Sequence, residues 1–260
     1  MCIFQSLAII MYIFSFLLLV PMVLCATNTY YLPDNNTNKK NTKNNKSMKT
    51  IKLDVDNVLS LRGEINQKLA TEFVYSVNTR DNKTDLYVYL DTNGGSVDAG
   101  MQIMDEIEKY ELNCIAHKAM SMGFVILQSC KERFVTPYST IMQHQISYGV
   151  GNEKAKVESY VDYIKQIGRH LSKLQAKRIG ISSKEFLRRT YNDWWLYGQQ
   201  AIKENCADTL SKVTCSPTLT NQTYIVEKMA SDYVYSKCPL ITGPIKIRKK
   251  KMIDDIFALL

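Results

Sequence analysis

Short apolar runs alternate with amphipathic stretches along the middle of the chain. Residues 86–90 form an apolar run that ends at Asp91 and a Gly94-Gly95 turn, which predicts a strand followed by a helix start. Apolar residues then recur every three or four positions from Val97 to Ile107, which predicts a helix over 96–110. This alternation continues downstream and is typical of the α/β class.

The pattern predicts three more strands and two more helices. Strands are expected at 113–116, 134–135 and 140–142, and a helix is expected over 122–130. A longer amphipathic helix is expected over 153–178, since its apolar residues keep a three-to-four spacing and Gly180 is a natural stop.

Three polar residues in this framework have the chemistry of an activated nucleophile. Ser121 falls at the predicted strand–helix turn, where the positive end of the helix would favour an oxyanion. His144 follows a predicted strand end, and Asp193 lies in the segment Tyr-Asn-Asp-Trp-Trp. A serine, a histidine and a carboxylate are the parts that turn a weak hydroxyl into a nucleophile.

The local sequences around these residues resemble the proteolytic subunit of Clp protease (ClpP), a serine peptidase of the ClpP/crotonase fold. The resemblance begins near Val58 and ends near Leu210, with several separate motifs in the family's order. Its segments include Asn93-Gly94-Gly95-Ser96, Ala119-Met120-Ser121-Met122-Gly123 and Met142-Gln143-His144-Gln145.

The resemblance implies a role for each matching residue and a fold of stacked strand–strand–helix units. Ser121 would be the nucleophile, His144 the general base and Asp193 the group that orients the histidine. Backbone N–H groups of Gly95 and Met122 would bind the oxyanion.

The resemblance also implies partners and excludes a cofactor. Peptides or unfolded proteins would be the substrate, and the segment 146–151 would pair with extended substrate as an added strand. The helix over 153–178 would be the family's projecting handle, which interleaves between two rings of a homo-oligomer. No cofactor and no metal are implied.

Alternatives remain for the acid, the base and the function. Asp208 is the second candidate carboxylate, although the resemblance gives that position a structural role. His117 is a poorer base because it belongs to the strand before Ser121, and His170 is expected to be a surface or interface residue. The alternative functions are a scaffold or binding protein that keeps the fold, or a crotonase-type acyl-CoA enzyme.

Some positions depart from the family pattern. Asn93 and Ile146 stand where prolines are usual, and Met120 replaces a small residue. Met120 and Ile146 are expected to line the substrate cleft and to change specificity. The family's axial loop, which contacts an ATPase, has no counterpart, so the resemblance does not support an ATPase partner.

The ends of the chain predict further segments outside a peptidase domain at 51–215. Residues 7–24 are apolar apart from Ser15 and Pro21, so residues 1–25 are expected to be a cleaved signal peptide that directs the chain to the secretory pathway. The alternative is a membrane anchor with a cytosolic domain, since the first positive charges follow the apolar segment. Residues 26–50 predict a disordered Asn/Lys-rich spacer, and 216–260 an extension with a basic tail.

Charge and cysteines change this picture little. The net charge is +8 with a pI near 9.0, but much of the excess lies in 39–50 and 246–251, so nucleic acid is not a predicted partner. The basic tail is expected to be solvated, with contact to anionic lipid as the alternative.

Beyond the leader, Cys215–Cys238 is a conceivable disulfide, whereas Cys114 and Cys130 are expected to be buried free thiols. Candidate N-glycosylation triplets begin at Asn35, Asn45, Asn82 and Asn221.

Overall fold

A mostly parallel sheet forms the centre of the structure, a computed structural model that describes residues 48–250. The strands are β1 Lys49–Leu53, β2 Val58–Ile65, β3 Tyr87–Gly95, β4 Asn113–Met120, β5 Arg133–Gln143, β6 Trp194–Tyr197, β7 Thr209–Cys215, β8 Thr223–Glu227, β9 Ser231–Ser236 and β10 Lys246–Lys249. The helices are α1 Gln67–Asn78, α2 Val97–Lys109, α3 Met122–Ser129, α4 Lys154–Ile179, α5 Ser183–Arg189, α6 Gly198–Lys203 and α7 Pro217–Asn221.

The strands of the main sheet run in the order β1-β7-β5-β4-β3-β2, and each neighbouring pair is parallel. β6 adds to the second half of β5 in the antiparallel direction. Helices α1, α2 and α3 connect β2 to β3, β3 to β4 and β4 to β5. These units confirm the predicted α/β class and the ClpP/crotonase-like architecture.

Both faces of the main sheet are covered, which explains its nearly continuous apolar strands. Side chains alternate between faces along a strand, so Val88 and Leu90 join the larger core with the helices. Tyr89, between them, joins a smaller core on the other face together with Ile115 and Phe134.

The predicted helices agree closely with the observed ones. Ser96 caps α2 by accepting a hydrogen bond at Oγ from the Ala99 N–H, and α2 ends at Lys109. α4 ends at Gly180, whose φ of +84° is the left-handed conformation expected of a glycine that stops a helix. The strands predicted at 134–135 and 140–142 are one longer strand, β5.

The residues after β7 form a structured addition to the domain. Leu219, Cys238 and Ile241 pack on the second face of the main sheet, and β8, β9 and β10 form a separate antiparallel sheet. Lys246–Lys249 of the predicted basic tail pair with β9 as β10, and all four residues are exposed, so this part of the tail is solvated but belongs to a strand.

Two disulfides and one buried thiol account for the cysteines of the described region. Cys215 and Cys238 form a disulfide, which joins β7 to the structured addition. Cys114 and Cys130 are also bonded, so the expectation of two free thiols was wrong. The chain returns at the end of α3 to the start of β4, and the resulting Cα separation of 5.8 Å is within the range that a disulfide spans. Cys206 is the remaining thiol, and burial raises its pKa to about 12.

Several predicted features lie outside the described residues. These are the leader 1–25, the spacer up to residue 47, Asn35, Asn45 and the chain from residue 251. Asn82 and Asn221 are exposed. Between residues 48 and 250, no helix combines the length and the apolar character that crossing a membrane requires.

Candidate active site

Ser121 occupies a sharp turn between β4 and α3. Its φ of +53° is unusual for a residue with a side chain, and such backbone strain is concentrated at functional sites. The N–H of Ser121 donates to the Met142 carbonyl on β5 over 2.9 Å, and its own carbonyl accepts from the first turn of α3. The Ser121 hydroxyl does not cap α3, so it remains available to a partner outside the helix.

That partner is His144, which follows the last residue of β5. The Oγ of Ser121 and the Nε2 of His144 are 2.8 Å apart, a hydrogen bond in which the hydroxyl donates when Nε2 carries no proton. β4 and β5 are adjacent parallel strands, so their carboxyl ends bring the two side chains together. The distance between Ser121 Oγ and His144 Nε2 is therefore that expected of a nucleophile and its general base.

Two buried glutamines hold the backbone of His144, and sequence reasoning did not identify either of them. The His144 N–H donates to Oε1 of Gln143 over 3.1 Å, and the Gln143 amide donates to Oε1 of Gln175 on α4. Gln175 in turn donates to the Leu171 carbonyl over 2.9 Å. This chain of hydrogen bonds joins helix α4 to the histidine, and only a three-dimensional structure brings together residues so far apart in sequence.

Asp193 directly precedes β6, and within residues 48–250 no hydrogen bond or ion pair joins its side chain to His144. Gln143 pairs with Trp194 across β5 and β6, so continuing the antiparallel register by one residue places Asp193 opposite His144. The Asp193 side chain is exposed. The structure therefore brings together the predicted nucleophile and base, while the predicted acid stays beside them.

The aromatic residue after Asp193 has a packing role. The centre of the Trp194 ring lies 6.3 Å from the centre of the Phe124 ring on α3 and 6.4 Å from the centre of the Phe186 ring on α5. The Arg189 guanidinium lies 4.9 Å from the centre of the same ring. These contacts fix the start of β6, and Gln145 holds the preceding loop by donating to the Tyr191 carbonyl over 3.1 Å.

The glycine turn at the end of β3 lies against the nucleophile. Gly94 has a φ of +98°, and a Cβ there would lie 2.7 Å from the Ser121 Cβ and 2.9 Å from the Met122 nitrogen. Gly95 has a φ of +145°, and a Cβ there would lie 2.2 Å from the Ile65 carbonyl oxygen. Only glycine fits at either position, and the close approach at Gly94 brings the end of β3 against Ser121 and Met122.

A cavity of about 470 Å³ opens beside these groups. Ser121, His144, Gly95 and Met122 all line it, together with apolar side chains that include Val97, Val125, Ile146, Ile164, Leu171 and Phe186. Ile146, one of the two residues expected to change specificity, therefore lines the cavity that contains Ser121. Met120, which was also expected to line the substrate cleft, does not line this cavity. Residues 146–151 pair with no strand, and the stretch from Ser147 onward is exposed.

The alternative candidates for the acid and the base do not lie at Ser121. Asp208 accepts hydrogen bonds from the backbone and guanidinium of Arg133, the latter through Nε over 3.0 Å. Burial raises the pKa of Asp208, but the hydrogen bonds and the charge of Arg133 outweigh it, so that the pKa is lowered overall. His117 stacks on Tyr89, and His170 is exposed on α4. Within the described residues, none of these three lines the cavity at Ser121.

Comparison with known proteins gives one consistent family. A family model described as Clp protease matches residues 40–213. The ATP-dependent Clp protease proteolytic subunit 2 of Corynebacterium diphtheriae is 32% identical over 151 residues, which are 56% of this chain and 75% of that protein. The subunit of the same name from Tropheryma whipplei is 26% identical over 161 residues, which are 59% of this chain and 89% of that protein. The ATP-dependent Clp protease proteolytic subunit of Streptococcus pyogenes is 26% identical over 165 residues, which are 60% of this chain and 84% of that protein.

Proposed function

The chain belongs to the Clp protease family, and we propose that it is a serine endopeptidase in which Ser121 is the nucleophile and His144 the general base. The observation that carries this proposal is the 2.8 Å hydrogen bond between Ser121 Oγ and His144 Nε2. It forms at a strained strand–helix turn, on the wall of a cavity large enough for a side chain of a peptide.

The proposed reaction has two stages. Ser121 Oγ attacks the scissile carbonyl while His144 Nε2 takes the hydroxyl proton, and the imidazolium then gives that proton to the leaving amine. Water, activated by the same histidine, hydrolyses the acyl-enzyme. The developing oxyanion binds the N–H groups of Gly95 and Met122, and the N-terminus of α3 adds a favourable dipole.

We further propose that Asp193 completes the catalytic set when substrate binds or the assembly forms. Its place opposite His144 in the β5–β6 register supports this role. Cβ atoms of directly opposed residues in an antiparallel pair are about 4.5–5.5 Å apart. We therefore expect a change of the Asp193 side-chain rotamer to bring its carboxylate to His144 Nδ1.

Covalent labelling with a fluorophosphonate probe tests the nucleophile. Wild-type protein is expected to be labelled at Ser121, and Ser121→Ala is expected to remove the label because the base then has no hydroxyl to activate. Ser147→Ala is the matched control, since Ser147 lines the same cavity and has no hydrogen bond to His144. Gel fluorescence and mass spectrometry of the modified peptide measure the result.

Labelling that persists in Ser121→Ala, or its absence from folded and assembled wild-type protein, would contradict the peptidase proposal. The second outcome would favour the alternative of a scaffold that keeps the fold without its chemistry.

We propose that the first half of α4 forms contacts between subunits of a homo-oligomeric ring. Tyr160 and Tyr163 are 42% and 46% exposed, whereas the apolar residues Ile164, Leu171 and Ile179 of the same helix are buried. An apolar helical surface of this kind is normally covered by another chain.

The double variant Tyr160→Glu and Tyr163→Glu is expected to lose the assembled state, because it places charges in an apolar contact. Light scattering coupled to size-exclusion chromatography would then give the mass of a smaller species. Gln166→Glu, an exposed position on the same helix, is the control and is expected to keep the wild-type mass. A double variant with the wild-type mass would place the contacts elsewhere.

The relatives are named ATP-dependent, but the 260 residues contain no phosphate-binding Gly-x-x-x-x-Gly-Lys sequence. Any ATP dependence would therefore require a separate protein.

A further inference from the structure

One side of the cavity at Ser121 carries only positive formal charges. Lys165, Arg169 and Lys173 line it from α4, at intervals of four residues that place them on one side of the helix. No aspartate or glutamate of the described region lines the cavity. A substrate side chain that enters this cavity therefore meets apolar walls and a cationic border.

Two of these three cations have no partner within the described part of the chain. Lys165 Nζ lies 3.2 Å from Asp162 Oδ1 on the same helix. Neither Arg169 nor Lys173 lies within 4.0 Å of a carboxylate oxygen in residues 48–250, although other cations of α4 and α5 are paired. Like charges four residues apart on a helix repel each other, so a bound anion would offset the small repulsion between Arg169 and Lys173.

We propose that Arg169 and Lys173 select peptides with an acidic side chain close to the scissile bond. This inference rests on the proposed function, since it concerns the substrate of the same site. The apolar walls receive the methylene groups of a glutamate, and the two cations at the border bind its carboxylate. Complementary charge at a partly enclosed site favours an anion over a neutral side chain of equal size, and salt weakens that preference.

Matched peptides measure this preference. Each pair carries glutamate or glutamine at one position beside the scissile bond, in an otherwise uncharged sequence, and each position is tested in turn. At one position the wild-type protein is expected to cleave the glutamate peptide with a kcat/KM about tenfold higher than its glutamine partner. The double variant Arg169→Met and Lys173→Met is expected to cleave both peptides at the glutamine rate, because methionine keeps the apolar stem without the charge.

The matched control is Lys177→Met, which removes a positive charge one turn further along the same side of α4, from an exposed residue that does not line the cavity. This variant is expected to retain the glutamate preference. Equal cleavage of glutamate and glutamine peptides by wild type, with cleavage still dependent on Ser121, would overturn the selectivity and leave the peptidase function intact. Retention of the preference by the double variant would also overturn it.

If no peptide is cleaved, peptide binding to Ser121→Ala protein tests the cationic subsite separately from the proposed peptidase function. Fluorescence anisotropy is expected to give a dissociation constant about tenfold lower for the glutamate peptide, and the difference should shrink as ionic strength rises from about 0.05 M to about 0.5 M. Equal dissociation constants would overturn the cationic subsite irrespective of catalysis.

Discussion

Replacing Asp193 by asparagine is expected to lower kcat for peptide hydrolysis by about 10⁴-fold, the loss that follows when the orienting carboxylate of a serine-peptidase triad is removed. A carboxylate at His144 Nδ1 keeps the proton on that nitrogen, so that Nε2 is free to accept from Ser121. It also stabilises the imidazolium formed during attack. Asparagine fits the same space, but it has no charge and can hold the wrong tautomer.

Asp105→Asn is the matched control for this experiment. Asp105 is an exposed carboxylate on α2 with no hydrogen bond or ion pair in the described region, and its replacement is expected to leave kcat unchanged. Steady-state kinetics of both variants, with thermal unfolding to show that each is folded, measures the effect. A kcat for Asp193→Asn within a few-fold of wild type would mean that Ser121 and His144 act without this acid.

Local sequence predicted where Ser121 and His144 lie relative to the strands, and the family resemblance supplied their proposed roles. The turn at Ser121 was predicted between a strand at 113–116 and a helix at 122–130, although β4 extends to Met120. His144 was placed correctly because the carboxyl ends of neighbouring parallel strands meet at one edge of the sheet. Asp193 was harder to place, since its position depends on the rotamer of an exposed side chain and on how β6 pairs with β5.

Contacts between residues that are distant in sequence could not be predicted from the local sequence pattern. The Cys114–Cys130 disulfide was missed because both residues lie in apolar runs that are equally typical of buried free thiols. The Gln143–Gln175 hydrogen bond was missed because a glutamine at the end of a strand and another on a helix carry no signal of each other. The strand β10 was interpreted as a basic tail because its charges dominate a segment whose pairing partner, β9, is only recognisable in the folded chain.

The largest effect on stability is expected at the ion pair between the buried Arg133 and the partly exposed Asp208. The Arg133 side chain is 1% exposed, and its guanidinium donates to both carboxylate oxygens of Asp208 and to Oε1 of Gln128. Asp208→Leu removes the counter-charge of Arg133, and of Arg178 3.2 Å away, and leaves a buried guanidinium. The free energy of unfolding is expected to fall by about 2–3 kcal/mol, less than for a fully enclosed pair because the Asp208 carboxylate is partly exposed. The double variant Arg133→Met and Asp208→Leu removes both charges and is expected to regain most of that loss.

The pH dependence of stability distinguishes this ion pair from simple packing. The pKa of Asp208 is raised by burial but lowered further by Arg133, so its value in the folded state is below the unfolded value of about 3.9. The pair therefore contributes its full stabilisation above about pH 4 and loses it as the pH falls through the folded-state pKa. Denaturant unfolding at a series of pH values should show a steeper loss of stability at acid pH in wild type than in the double variant. Equal slopes in the two proteins would show that the pair contributes no pH-dependent stabilisation, and a double variant as unstable as Asp208→Leu would assign the loss to packing instead of charge.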